Sequence, residues 1–397
     1  MSANKGPLAG IRVLDLGRHI SCPTCTMTLG DLGAEVIKVE KSGWGDDTRH
    51  SGEFVDGVNL YYPTENRNKK SVTINFRSEQ GKELLTELIR KSDVLVENFR
   101  FGTMEKMGFS WEKVHEINPK LIMASISGYG KGSPYQDRPG FDSIMSAVSG
   151  IMDLNQADDG PRITGGIWFI DIMAGMWTTI AVLAALRKRE QTGLGQYIDT
   201  AMYDSCIYSL NTYIPYYDKT NRIAREATRN AYDVPSGRFR SKDGFVICLA
   251  GTDGLYERLL QITDDPTLHR PEFRDHDVRL QPENFDIINS AVERVMQTKT
   301  GDEWDDIFAK VGIPGGKIKD VSDVMKSPAT FVRNTTLKLD VPGLGEVTFP
   351  GTPLNFSDEE LEFTPAPELG EHNEEIYCGL LGLSKEELDN LVKEKAI

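Results

Sequence analysis

Within GIWFIDIMAGMW, residues 166–177, Asp171 stands among large apolar side chains and is the only ionisable residue between Ile167 and Leu186. An unpaired carboxylate is costly to bury, so such a residue is paired, caps a helix or does chemistry. Its simplest structural role is N-cap of a helix over 172–189, with its oxygen accepting from a first-turn amide. A helix start also favours the anion and lowers its pKa. Capping and function are compatible, because a poorly hydrated, well-oriented carboxylate is equipped to act as a nucleophile.

Other chemistry-bearing groups each have a plainer alternative. CPTC at 22–25 has the spacing of a redox pair or of half a zinc site, and no second CxxC exists to complete the latter. The alternative is two small buried residues at a helix start. The basic run NRNKKS (66–71), with Lys41, Arg77, Arg100 and Lys106 near strand or helix ends, suits a ligand with several phosphates or is a set of solvated side chains. No G-x-G-x-x-G follows the first strand, and GYGKGSPYQDRPGFD (128–142) has no Walker lysine. The six histidines (19, 50, 115, 269, 276, 372) show no zinc spacing and no G-x-S-x-G occurs, so neither a metal site nor a serine triad is supported.

The elements that must position these groups read as strand–helix alternation. IRVLDLG (11–17), AEVIKVE (34–40), SVTINF (71–76), DVLVENF (93–99) and LIMASIS (121–127) are short β-branched runs. Helical patterns such as 78–92 lie between them, which predicts βαβ units and a parallel, doubly wound sheet. GLGQYIDTAM after the 172–189 helix reads as a turn into another helix. From about 220 the character changes: a strand pair at 240–251 precedes helices at 254–263, 283–298 and 301–311, and 337–350 is again strand-like. Ser384 and Glu387 form a capping box for the tail helix.

Bulk properties bound the function. A chain of 397 residues suggests two domains. A net charge of −15 argues against nucleic acid or an anionic membrane as partner. Five cysteines fit a reducing cytoplasm, and MSANKGPLAG has no apolar secretory segment. The 167–186 run has the length of a membrane span, but it carries Asp171, Gly175, Thr178 and Thr179 and has no companion, so it reads as a buried helix.

Over nearly its whole length the chain resembles the class III CoA-transferases. The resemblance rests on PLAGIRVLDLGR, LGDLGAEVIKVEK with GDDTR, ENRNKKSVTINF, DVLVENFRFGTMEKMG, NPKLIMASISGYG, RPGFDSIMSAVSGIM, FIDIMAGMWTTIAVLAALRKREQTGLGQYIDTAMYD and ELGEHNEEI. It implies an α/β fold with a Rossmann-like large domain (1–220 and 326–397), a smaller α+β domain (221–325), and an interlocked homodimer. It implies Asp171 as catalytic nucleophile and no permanently bound cofactor, coenzyme A entering as acyl-CoA substrate. The family's CoA-contacting positions fall on His19, Ile20, Lys41, Ile74, Arg77, Asn98, Phe99, Lys106 and Met107, and near the thioester on Arg138, Phe141 and Asp142. Backbone amides near Gly251–Gly254 or Ile20 are candidate oxyanion donors. LAGTDGLYERLL (249–260) lacks the insertion of the formyl-CoA branch. This leans toward a medium-sized acid (2-hydroxy, 2-enoyl or carnitine-type) over formate or oxalate. Racemases of the same fold pair the aspartate with a histidine where this chain has Phe141, which disfavours racemisation. A non-catalytic CoA-binding protein is the third reading.

Overall fold

The computed structural model describes residues 5–155, 165–223 and 233–397. Its β-branched runs form six parallel strands: β1 (Arg12–Asp15), β2 (Glu35–Lys41), β3 (Lys69–Ile74), β4 (Val94–Glu97), β5 (Ile122–Ser127) and β6 (Tyr197–Ala201). Their spatial order is β3-β2-β1-β4-β5-β6. The chain therefore winds outward one way from β1 and then the other, and the order reverses between β1 and β4. Such a reversal opens a crevice at the carboxyl ends of the strands. Val13 of β1 registers with Val36 of β2 and Val94 of β4.

Successive strand residues face opposite sides, so each face builds its own core. Val13, Val36 and Val94 pack with α1 (Ser21–Asp31) and with the long α5 (Phe169–Thr192). Leu14, Ile37 and Leu95 pack with α2 (Glu79–Lys91), with α3 (Trp111–Ile117) and with the C-terminal residues Ile376 and Tyr377. Ser78 caps α2 by accepting from the Gly81 amide. The capping box of Ser384 and Glu387 opens the tail helix Lys385–Lys393.

Two expectations are corrected here. GLGQYIDTAM does not pass directly into a helix: residues 197–201 add β6 to the sheet, and a helix (Met202–Ser209) follows. The 172–189 helix is longer at both ends and is not buried all round. Ile170, Ala174, Thr178, Val182 and Ala185 face the core, whereas Met176 and Ile180 are each 53% exposed. It is the one helix among the described residues with the length and apolarity of a membrane span.

Contacts divide the chain into two compact units, 1–151 with 164–211 and 331–397, and 152–163 with 212–330. The first contains the parallel sheet. Its edge strand β3 is covered by the segment carrying ELGEHNEEI, where His372 donates from its amide to the Ser71 carbonyl and Asn373 accepts from the Thr73 amide. An edge so paired cannot recruit another strand. The second unit has a three-stranded antiparallel sheet (Ser236–Arg240, Phe245–Leu249, Gly315–Lys317). Helices pack on it through Tyr256, Ile288, Trp304 and Phe308. Within that unit buried Arg279 donates to the carbonyls of Val234, Phe273 and Gly251, holding the LAGTDG loop.

Candidate active site

The turn after β1 rests on a buried ionic lattice. Asp15, at the end of β1, accepts from the Gly17 amide at 2.7 Å, from Thr26 Oγ1 at 2.8 Å and from Lys69 Nζ at 2.9 Å. Lys38 of β2, also fully buried, donates to the Gly17 carbonyl and pairs with Asp46 at 2.9 Å. Burial alone would raise the Asp15 pKa, but Lys38 and Lys69 outweigh it and hold the carboxyl below its ordinary value. Asp46 in turn accepts from the His19 amide at 3.4 Å. His19 takes a left-handed backbone (φ 61°), a conformation uncommon outside glycine.

The other side of the turn is fixed from β4. Asn98 accepts from the Arg18 amide at 2.9 Å and donates to the Arg18 carbonyl at 2.8 Å and to Ser21 Oγ at 3.2 Å. Ser21 is the first residue of α1. Above it stands Asp171, half-buried in the first turn of α5. The two helices meet so closely that a Cβ on Gly175 would lie 2.6 Å from the Ser21 carbonyl oxygen. Gly175 sits one helical turn beyond Asp171, so this contact sets how near the carboxylate lies to Ser21.

Asp171 is not the cap of its helix. Trp168 occupies the N-cap position without a side-chain bond. The capping acceptor comes from α4 (Asp142–Val148): Asp142 Oδ2 accepts from the Ile170 amide at 2.8 Å and from the Asp171 amide at 3.4 Å. Nor is its pKa lowered. Burial, then the negative charge of Asp142, push Asp171 up to about 7, with Glu65 adding to the rise and the donors of Ser21 pulling the other way. The helix start contributes only about 1 kcal/mol, too little to reverse these.

Around this centre lie aromatic groups. Tyr61 stacks on Trp168 with ring centroids 5.3 Å apart, and the His19 ring sits edge-on to Phe141 at 5.9 Å. His19, Asn98, Phe99 and Phe141 thus gather with Asp171 about the crevice beside β1 and β4, and Arg18 lies over the Phe99 ring. The expected ligand contacts separate into three kinds. Lys41, Arg77, Lys106 and Arg138 are exposed bases, and Met107 is half-buried. Ile20 and Ile74 are 2% and 0% exposed, so their side chains belong to the core and only their backbones can meet a ligand. Asn98 spends its polar atoms on the Arg18 backbone and the Ser21 hydroxyl, and Asp142 accepts from the Ile170 and Asp171 amides.

The phosphate reading of NRNKKS is corrected. Arg67 pairs with Asp31, Lys69 with Asp15, and Lys70 with Glu35 and Glu375. The CPTC thiols are buried and free, and burial pushes Cys25 up to about 12 and Cys22 well above the ordinary thiol value. A redox pair needs a low-pKa, accessible thiolate. Sequence reasoning missed Ser21 and Glu65. The only sequence signal for Ser21 was a hydroxyl at a helix start directly after the β1 turn. No metal-holding cluster of His, Cys, Asp or Glu occurs among the described residues.

A six-stranded parallel sheet whose order reverses between β1 and β4 is a doubly wound α/β fold, and half-buried Asp171 lies on the helix that packs beside that reversal. The model of CoA-transferase family III matches residues 8–373. The chain belongs to that family and is a CoA-transferase, an enzyme that takes acyl-CoA as substrate. Acetyl-CoA:oxalate CoA-transferase of Acetobacter aceti is 36% identical over 92% of this chain and 94% of its own. The succinyl-CoA–L-malate CoA-transferase beta subunit of Chloroflexus aurantiacus is 36% identical over 98% of both chains. Human succinyl-CoA:glutarate CoA-transferase is 33% identical over 95% of this chain and 87% of its own. Among solved structures, a CAIB/BAIF family protein from Brucella suis superposes with TM-score 0.84 at 33% identity, covering 95% of this chain and 100% of that one.

Proposed function

We propose that this CoA-transferase works by covalent catalysis on Asp171. The supporting observation is a half-buried carboxylate in the first turn of α5, where that helix crosses α1 just after the β1 turn, beside the point where the strand order reverses. Asp171 attacks the acyl carbonyl of the donor thioester, the C–S bond breaks, CoA leaves as thiolate, and an aspartyl–acyl anhydride forms. The thiolate attacks the Asp171 carbonyl, releasing the donor acid and leaving an aspartyl-CoA thioester. The acceptor carboxylate attacks that thioester and expels the thiolate. The thiolate then takes the acceptor's acyl carbon from the new anhydride and frees Asp171. A pKa near neutrality makes Asp171 a more basic nucleophile than an ordinary carboxylate while leaving much of it ionised.

The exposed bases Lys41, Arg77, Lys106 and Arg138 are the groups placed to take the phosphates, and His19, Phe99 and Phe141 flank the pantetheine end. Remote binding of the nucleotide keeps the thiolate near Asp171 between steps. The relatives' names share small dicarboxylic acids, and malate is also a 2-hydroxy acid. Succinyl-CoA with L-malate is therefore the first pair to test, ahead of glutarate and oxalate. The same reading carries a large domain from 1–220 and 326–397, a small domain over 221–325, and a cytoplasmic homodimer. The test is a donor-by-acceptor exchange screen read by mass spectrometry with Asp171→Ala as blank. Exchange that depends on Asp171 supports the reading. Transfer that survives Asp171→Asn contradicts the covalent route, and no exchange with any acid pair contradicts the activity.

A further inference from the structure

Residues 17–19, which join β1 to α1, are held by side chains. The Gly17 amide donates to Asp15 Oδ1 at 2.7 Å, and the Gly17 carbonyl accepts from Lys38 Nζ at 2.9 Å. The Arg18 amide donates to Asn98 Oδ1 at 2.9 Å, and the Arg18 carbonyl accepts from Asn98 Nδ2 at 2.8 Å. The His19 amide donates to Asp46 Oδ1 at 3.4 Å. Five successive backbone groups thus go to four side chains, drawn from β1, β2, the loop after β2 and the residue after β4. Asp15, Lys38 and Asp46 are buried. The turn ends in strain, because His19 is left-handed at φ 61°, a conformation that a residue with a Cβ resists.

Buried charges are a costly way to fix a turn, and apolar side chains of similar volume often hold a fold as well. What apolar side chains cannot do is dictate the direction of backbone amides and carbonyls. Strained backbone persists where its surroundings over-determine it, and it concentrates at functional sites. This turn lies at the carboxyl end of β1, beside the reversal of strand order, where a doubly wound sheet takes its ligand. Asp47 also reaches Arg18 at 3.3 Å and His19 Nε2 at 3.7 Å, but these pairs are exposed and add little. We propose that Asp46, anchored by Lys38 at 2.9 Å, is a positioning residue for acyl-CoA binding: it keeps His19 left-handed, so that the turn is set before the ligand arrives. A preset turn avoids the cost of ordering it on binding. The inference rests on the crevice beside β1 and β4 being the acyl-CoA site. Burial alone would raise the Asp46 pKa, but Lys38 and the bonds from Thr48 outweigh it and hold the carboxyl well below its ordinary value. The clamp is therefore charged at working pH and is not a pH switch.

The test measures Kd for CoA when Asp46→Ala is placed in three backgrounds: wild type, His19→Ala and His19→Gly. Alanine at 19 removes the ring and keeps the strain, whereas glycine removes both. Asp46→Ala is expected to weaken CoA about tenfold in wild type and in His19→Ala, the size of effect expected when a left-handed residue relaxes. In His19→Gly the loss falls to about twofold or less, because glycine holds that φ unaided and the two changes are then no longer independent of each other. If His19→Ala weakens CoA and Asp46→Ala costs the same in all three backgrounds, Asp46 does not act through the turn and the clamp alone falls. If neither the His19 variants nor Asp46→Ala changes CoA binding while acyl-CoA is still turned over, the crevice is not the CoA site and both readings fall. Circular dichroism checks each fold. Should Asp46→Ala not fold, the single variants decide: His19→Gly is expected to unfold a few °C above His19→Ala. An equal or lower midpoint would mean there is no strain for Asp46 to hold, and the proposal is overturned.

Discussion

Asp142 acts on Asp171 in two opposed ways. Its carboxylate caps α5 through the Ile170 amide, and its charge resists ionisation of Asp171. Asp142→Asn retains an acceptor oxygen for the cap and removes the charge. The acid limb of kcat is expected to move down by about half a pH unit to one unit; an upward move contradicts the electrostatic account. Stability runs with the opposite sign. Because the folded-state pKa of Asp171 is raised from 3.8 to about 7, the folded protein holds this proton more tightly than the unfolded chain does. That contribution is present at pH below the ordinary carboxylate value and is lost as pH rises to about 7. Asp171→Asn is therefore expected to unfold a few °C higher than wild type at pH 8 and to match it at pH 4, read by thermal unfolding. The isolation of Asp171 was legible in the sequence. The direction of its pKa was not, because Asp142, Glu65 and Ser21 come from three distant segments and burial outweighs the helix start.

At the scale of elements, the site depends on how closely α1 and α5 cross. Gly175 faces the Ser21 carbonyl across that crossing. Gly175→Ala puts a methyl 2.6 Å from a backbone oxygen, and one helix must give way. The expected cost is about 1–3 kcal/mol of stability. It comes with a fall in kcat of about tenfold to a hundredfold as Asp171 leaves Ser21, measured by unfolding and steady-state kinetics. An unchanged kcat would mean the crossing does not set the carboxylate. Strand–helix alternation showed most of these elements, and Ser78, Ser384 and Glu387 marked two helix starts. What stayed hidden were lysines that point inward. Lys38 and Lys69 lie in strands and look like solvated bases, yet both are fully buried around Asp15 and Asp46. Their partners sit in other segments, so no local pattern reports the pairing. The β6 strand was missed for a similar reason: YIDTA is short and polar, and only its pairing with β5 makes it a strand.

At the scale of the molecule, α4 and α5 leave apolar side chains exposed: Ile144, Val148, Met176 and Ile180 are each close to half exposed. Exposed apolar side chains clustered on one surface are usually covered. On the homodimer reading a second copy covers it, and light scattering is expected to give the mass of two chains. Ile180→Glu should weaken or abolish that dimer, and a monodisperse monomer in wild type would contradict it. The class of enzyme was legible because motifs spread along the chain resemble one family, and the family match spans 8–373. The acid was not, since a handful of side chains at one crevice choose it and their partners are set by the fold. The most direct test of the central claim is to mix enzyme with succinyl-CoA alone, quench with hydroxylamine, digest, and measure the peptide bearing residue 171 by mass spectrometry. The account predicts a hydroxamate on Asp171 that is absent without donor and absent in Asp171→Ala. An unmodified Asp171 in enzyme that is turning over acyl-CoA would contradict it.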